Sequence, residues 1–406
     1  EELRQTSTPG AAVAIVRGDQ VVIARGFGVA DIETGTAVRP EMLFRLGSTT
    51  KMLTATALNV LVEEGRVKLD APISTYLHGI DASLARVTAH QLLSHTAGVR
   101  DEAPMFGLHD DTALGARVRS MDAGFLFATP GDVFSYSNPG YWIAGYLAEI
   151  VAGQPYADVM QEKVFTPLGM ARTTLRPTLA MTWPLAQGHD ANAQSGARVI
   201  RPAADNAASW PAGSVFSSVT DLARFVIAVL NGGRLDGKAV LPPAVVTRVP
   251  TGYVDTPGGA DGKYAYGLNV ETVRGVRMLR HGGSRSGYGS LIWMVPDQKA
   301  AVIVLANRTG ASLSRTAMHA LEMVATIEPP APPAAPTALT MTAAEMAGYV
   351  GAYSQTAAPD AEILVKDGQL LLRSGNGAPQ PVTKTGAGRF QVTRPGASSP
   401  QTFFLT

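Results

Sequence analysis

Ser48-Thr49-Thr50-Lys51 runs directly into Met52-Leu53-Thr54-Ala55-Thr56-Ala57-Leu58-Asn59-Val60-Leu61-Val62, a segment that is apolar nearly all round. Such a run reads as a buried central helix, with Gly65 as its C-terminal cap. On a helix, a serine and a lysine three positions apart lie one above the other on the same face, so the Lys51 amine can reach the Ser48 hydroxyl. A serine alcohol becomes a useful nucleophile only when an adjacent base takes its proton, and a lysine does so only where its surroundings keep it partly neutral. The dry mouth of a core helix supplies such surroundings.

Two further motifs follow in order. Tyr136-Ser137-Asn138 lies between Pro130-Gly131 and Pro139-Gly140, which places Tyr136 on a loop that faces inward. His281-Gly282-Gly283-Ser284 closes a strand-like run. A Ser-x-x-Lys pair alone occurs by chance and usually marks a solvated lysine. The conjunction of three motifs carries the weight.

Around these motifs the elements predict an α/β fold, an antiparallel sheet sandwiched by helices with an inserted all-helical domain. Ala11 to Arg17 and Val21 to Arg25 are apolar strands joined by Gly18-Asp19, a hairpin signal. From about 88 to about 193 the pattern is helices and loops. Tyr264 to Val270, Val276 to His281, Tyr288 to Val295 and Ala300 to Asn307 read as consecutive antiparallel strands, and Leu313 to Thr326 as a closing helix. The main domain is thus expected over 1–327. Five prolines among alanines make 328–340 a semi-rigid linker. Residues 341–406 then form a small antiparallel β-domain, in which Asp367-Gly368 turns one hairpin and Arg389 to Thr393 and Gln401 to Leu405 add strands. This domain is short for a closed barrel.

The three motifs, with Gln91-Leu92-Leu93-Ser94-His95-Thr96-Ala97-Gly98-Val99 and Ala212-Gly213-Ser214-Val215-Phe216-Ser217-Ser218, resemble the class C β-lactamase and penicillin-binding-protein superfamily of serine hydrolases. That superfamily includes family VIII carboxylesterases and D-alanyl-D-alanine carboxypeptidases, and it has lipocalin-like appendages similar to the C-terminal segment. The resemblance implies that Ser48 is acylated and that Lys51 deprotonates it. It implies that Tyr136 shuttles protons as a phenol whose pKa neighbouring cations lower, and that Asn138 holds Lys51 or the substrate carbonyl. The backbone amides of Ser48 and Ser284 would form the oxyanion hole. His281 stands where the lactamases usually carry a lysine, and a histidine is only partly charged near pH 7. Lactamase activity is therefore disfavoured. Arg285, just after the motif, either restores some positive charge there or is an exposed loop arginine, the latter being the reading preferred, and His95 reads as structural.

Composition excludes several other classes. A formal net charge of +1 over 406 residues offers no reason to expect nucleic acid as partner, and no apolar run is long enough for a membrane span. The absence of cysteine rules out thiolate chemistry. No Gly-x-Ser-x-Gly elbow is present, the seven histidines are scattered, and neither metal nor cofactor is expected. Gly232 to Lys238 has phosphate-loop spacing but reads as a turn. The chain starts at Glu1 without a signal peptide, which leaves bacterial periplasm and cytoplasm both open, as is the oligomeric state. The resulting expectation is a serine hydrolase that forms an acyl-enzyme, a carboxylesterase on a small-molecule ester of short acyl chain. The alternative enzyme is a penicillin-binding protein, D-Ala-D-Ala carboxypeptidase or D-aminopeptidase acting on a peptide with weak β-lactamase activity. The alternative outside enzymes is a non-catalytic binding protein.

Overall fold

The computed structural model describes residues 1–192, 196–256, 261–329, 338–353, 361–375, 377–386, 388–392 and 401–404. Nine strands form its main sheet: β1 (Gly10–Arg17), β2 (Gln20–Asp31), β3 (Thr36–Ala37), β4 (Val254–Asp255), β5 (Lys263–Tyr264), β6 (Asn269–Val273), β7 (Val276–Arg285), β8 (Tyr288–Val295) and β9 (Ala300–Ala306). Their spatial order is β4-β5-β6-β7-β8-β9-β1-β2-β3, and every neighbouring pair is antiparallel. The two ends of the motif-bearing region therefore meet in mid-sheet, where Ala11 faces Ala306 across β1 and β9.

Strands β8 and β9 are buried along their whole length, and their side chains alternate between two cores. Ile292, Met294, Ala301, Ile303 and Leu305 point into the larger core. Leu291, Trp293, Val295, Val302 and Val304 point into the other. Helices α1 (Thr50–Glu63) and α2 (Asn138–Ala152) and, from further along, α3 (Val219–Leu230) supply the larger core, whereas α4 (Ser314–Glu322) covers the opposite face with Ala317, Ala320 and Leu321. Thr50 to Leu61 of α1 are all buried. Its Leu53, Leu58 and Leu61 each contribute about 1.5–3 kcal/mol through removal from water. Its buried polar groups are satisfied: Thr54 Oγ1 donates to Pro211 O at 2.7 Å, and Asn59 Nδ2 to Ala55 O at 2.9 Å.

Several expectations shift in detail. Tyr264 to Val270 is not one strand but two, β5 and β6, folded back on each other so that Lys263 faces Val270. Gly267 turns the chain at φ +74°, and a Cβ there would lie 2.6 Å from the Lys51 carbonyl carbon. Only glycine permits that approach to the head of α1. The closing helix spans Ser314–Glu322, shorter than expected. Beyond the helices between 88 and 193, the chain forms a hairpin of His189–Asn192 with Gly196–Val199, and helices continue as far as Pro243–Arg248. Arg234–Leu235 and Lys238–Ala239 pair around Asp236 and Gly237, so that segment is a turn.

The C-terminal segment is a six-stranded antiparallel sheet in simple sequence order, from Gly351–Tyr353 to Gln401–Phe404, around a small core of its own that includes Ile363, Leu370 and Phe390. Most of the expected proline-rich linker, together with Thr393 and Leu405, lies outside the described residues. Among the described residues, no helix is long and apolar enough to cross a membrane, and no group of three or more His, Asp or Glu side chains could hold a metal ion.

Candidate active site

Ser48 sits in the single 3-10 turn Gly47–Thr49 that leads into α1, half-buried at the floor of a cleft. Gly47 holds φ +58°, and a Cβ on it would lie 2.7 Å from the Ser284 nitrogen. A Cβ on Gly283 would lie 2.0 Å from the Leu46 oxygen. These two glycines let the end of β7 press against the Gly47–Thr49 turn, and Ser48 and Ser284 share one cavity of about 360 Å³. The same cavity is lined by Asn138, Trp142, Ala212 and Arg285.

One turn along α1, Lys51 is completely buried. Its Nζ lies 2.7 Å from Asn138 Oδ1, 2.8 Å from Ala212 O and 3.3 Å from Ser48 Oγ. Burial pulls its pKa down to about 7, against the opposing charge of Asp101. The neutral form has two hydrogens and one lone pair. Ala212 O can only accept, and Asn138 presents its oxygen because its Nδ2 donates to Asp101 Oδ1 at 3.0 Å. The two hydrogens are taken by these acceptors. The lone pair is left for the Ser48 hydroxyl.

Tyr136 precedes α2, whose start is fixed by Ser137 as N-cap, accepting from Gly140 N at 3.1 Å, and by Pro139 in its first turn. Its ring lies 4.7 Å from Lys51 Nζ. The expected lowering of its pKa is not found. Burial raises it above the usual phenol range, the Ser48 hydrogen bond opposing and the Asp101 charge adding to the rise. The reason is that the cost of burying a phenolate outweighs the stabilisation it receives from Ser48. Tyr136 is therefore a phenol, a proton donor.

His281 is also corrected. It is buried behind Tyr264, outside the lining of the Ser48 cavity, and burial with the nearby Lys51 charge pushes its pKa down to about 4. A directed chain of hydrogen bonds fixes its neutral form. Ser137 N donates to His95 Nδ1 at 3.1 Å, so the remaining His95 proton is on Nε2, 3.2 Å from Tyr264 Oη. The Tyr264 hydroxyl then donates to His281 Nε2 at 3.1 Å, while His281 Nδ1 donates to Gly282 O at 2.6 Å. His95, fully buried with its ring 4.2 Å from that of Tyr136, is held well below its ordinary pKa by the same burial. His281 itself therefore brings no positive charge to the third motif at pH 7.

Arg285, expected to be exposed, has a side chain only 10% accessible. It lies 3.9 Å from Asp205, which Arg45 already engages at 2.7 Å. Sequence reasoning took Arg285 for an exposed residue and missed Asp101, Tyr264 and the Ala212 carbonyl. Asp101 and Tyr264 lie outside any motif. Ala212 sits in a recognisable segment, but a backbone carbonyl leaves no residue-type signal.

The Ser48-Lys51-Tyr136 constellation lies at the junction of an antiparallel sheet and a helical region. The chain belongs to the Beta-lactamase family, whose pattern matches residues 1–326. It is 31% identical over 324 residues to the unguisins hydrolase ungD' of Aspergillus campestris, covering 75% of this chain and 59% of that protein. It is 30% identical over 310 residues to penicillin-binding protein 4 of Amycolatopsis lactamdurans, covering 74% and 81%. The chain thus spans about three fifths of the length of the unguisins hydrolase it matches. Among solved structures, SurE superimposes with a TM-score of 0.79 at 26% identity, over 100% of this chain and 92% of that one.

Proposed function

We propose that the protein is a carboxylesterase acting on small esters through an acyl-enzyme on Ser48. The observation that carries this reading is the buried Lys51 amine, whose hydrogens are engaged by Asn138 and Ala212 and whose lone pair is left for Ser48. Lys51 takes the Ser48 proton as Oγ bonds to the ester carbonyl carbon, and the backbone N–H groups of Ser48 and Ser284 receive the oxyanion. Tyr136 gives its proton to the departing alkoxide, the C–O bond breaks, and the proton held by Lys51 restores the phenol. In the second half, Lys51 accepts a proton from water as the hydroxide attacks, then returns it to Ser48 when the acid leaves.

Neutral His281 favours esters over lactams, since it offers no charge of its own to dock the carboxylate of a fused lactam. The relative named penicillin-binding protein 4 favours a second reading, a carboxypeptidase or aminopeptidase on D-amino-acid peptides. Parallel turnover of a p-nitrophenyl ester, nitrocefin and a D-Ala-D-Ala peptide separates the two, with the ester expected to be fastest. In Ser48→Ala, turnover and fluorophosphonate labelling should vanish while the circular dichroism spectrum stays unchanged. Near-wild-type esterase activity in that variant would overturn the assignment.

A further inference from the structure

A second cavity, of about 530 Å³, adjoins the one that holds Ser48, and Ser286, two residues past the third motif, lines both. It is the larger of the two, and its size is that of sites that enclose organic ligands. Trp210, Phe216 and Tyr288 form its floor, and Met181, Leu185 and Ile200 its walls. The floor residues belong to the buried core, whereas Leu185 and Ile200 are half-buried and Met181 is exposed, so the walls are open to an entering group. The charged groups of the lining are already paired. Arg45 Nη2 donates to Asp205 Oδ1 at 2.7 Å, and its guanidinium lies 4.7 Å from the centre of the Phe216 ring. Arg176 Nη2 donates to Asp111 Oδ2 at 2.9 Å, and its Nη1 to Asp158 Oδ1 at 2.8 Å. His109 Nδ1 lies 3.0 Å from Asp205 Oδ2, and the Tyr288 hydroxyl donates to Ala186 O at 2.8 Å. Asp110, at the rim, accepts from Thr112 N at 2.8 Å, and the Thr112 hydrogen bonds hold its carboxyl below the usual pKa. An anionic group would meet that carboxylate and find both arginines engaged.

Apolar walls in contact with water are unfavourable in proportion to their area, and a hydrocarbon group that covers them removes that cost without needing a polar partner. We infer that this cavity takes an uncharged hydrocarbon arm of the substrate, whose ester carbonyl sits at Ser48, with Ser286 as the threshold between the two spaces. Continuity selects this occupant, since a ligand that starts at Ser48 and extends past Ser286 enters the second cavity. The reacting ester occupies the Ser48 cavity, and selectivity among esters is set by how much hydrocarbon reaches beyond it.

This inference deepens the esterase reading and rests on it, so its test reads ratios between esters in one protein. 4-Nitrophenyl butyrate is compared with 4-nitrophenyl octanoate for an arm on the acyl side, and butyl acetate with octyl acetate for an arm on the alcohol side, all below the concentrations at which the esters form micelles. In the wild type, kcat/KM should rise roughly two- to fourfold for each methylene that enters the cavity, and so at least about tenfold across one of the two pairs. Ala203→Trp and Thr178→Trp fill the cavity from two separate segments. Both positions are exposed and lie outside the lining of the Ser48 cavity, so turnover of the short ester should be unchanged while the long-chain advantage is lost. Selective loss of that advantage in either variant supports the inference. Because each readout is a ratio within one protein, partial misfolding of a variant does not mimic it. A wild type without a chain-length advantage on either side, an advantage that survives both substitutions, or an equal loss of short and long esters in both variants overturns the inference and leaves the hydrolase intact. Failure of every ester to turn over, together with absence of fluorophosphonate labelling at Ser48, overturns the esterase reading and this inference with it.

Discussion

At the residue scale, reactivity is set by what burial does to Lys51 and by which atoms point at it. The base must be neutral, so kcat/KM for a neutral ester should rise with pH through about 7 and level off above it. Asp101 has a double influence, since its carboxylate orients the Asn138 amide and its charge favours the protonated amine. In Asp101→Asn the lost negative charge makes the ammonium less favourable. The acid limb should then move to lower pH while the plateau falls, because Asn138 no longer has a fixed orientation. A rate profile with an unmoved limb would show that the charge is not felt at Lys51. Lys51→Ala and Tyr136→Phe should each cost at least about a hundredfold in turnover, as expected for lost acid-base catalysis. The double variant should be scarcely worse than the poorer single one, since the two act on one proton path. Clean multiplication of the losses, measured on the same ester, would contradict that. That Ser48, Lys51, Tyr136 and Asn138 lie together was legible, because each belongs to a short motif set by residue type. Protonation states were not legible. The neutrality of His281 depends on His95 and Tyr264, remote in sequence, and the burial of Arg285 depends on Asp205 and Arg45 from distant loops.

At the scale of elements, the site depends on three chain segments approaching more closely than side chains allow. Gly283 is the sharpest case, because an added Cβ would meet backbone at Leu46 and the Ser290 hydroxyl at 2.3 Å. Gly283→Ala should push β7 away from the Gly47–Thr49 turn and move the Ser284 amide off the position facing Ser48. A loss of about a hundredfold or more in kcat is expected, as for removal of one oxyanion donor. Gly282 serves as control, since a Cβ there would meet only Ser290 O at 3.8 Å. Gly282→Ala should lose less than about threefold if packing alone decides the outcome. Equal losses in the two variants would shift the cause from close approach to general strand stability. Strands β1, β7, β8 and β9 were readable from their apolar runs, which local pattern governs. The break at Gly267 was not, because the reason for a glycine there is the head of α1, more than two hundred residues earlier in the chain.

At the scale of the whole molecule, pairing of β1 with β9 closes the main sheet, a contact between residues about three hundred positions apart that no local window contains. What could be read was the order of element types, and that order selected the fold class. The two large cores draw on no described residue beyond Ile327, whereas the C-terminal core draws only on residues from Met341 to Val392. Among the described residues, Glu328 is the last tied by a hydrogen bond to the main sheet's surroundings, through its backbone N–H to Arg274 O at 3.1 Å. Among the described residues, each part therefore buries its apolar surface without borrowing from the other, the condition for folding separately. A chain ending at Pro329 should retain a cooperative thermal transition and should label Ser48 with a fluorophosphonate at a rate within about threefold of the full chain, since no group bonded to Lys51 is removed. Full-length protein should show a second, smaller transition by calorimetry that the shortened chain lacks. If the shortened chain aggregates or its Ser48 no longer reacts, the C-terminal sheet supports the hydrolase core through contacts that the separation of the cores does not capture.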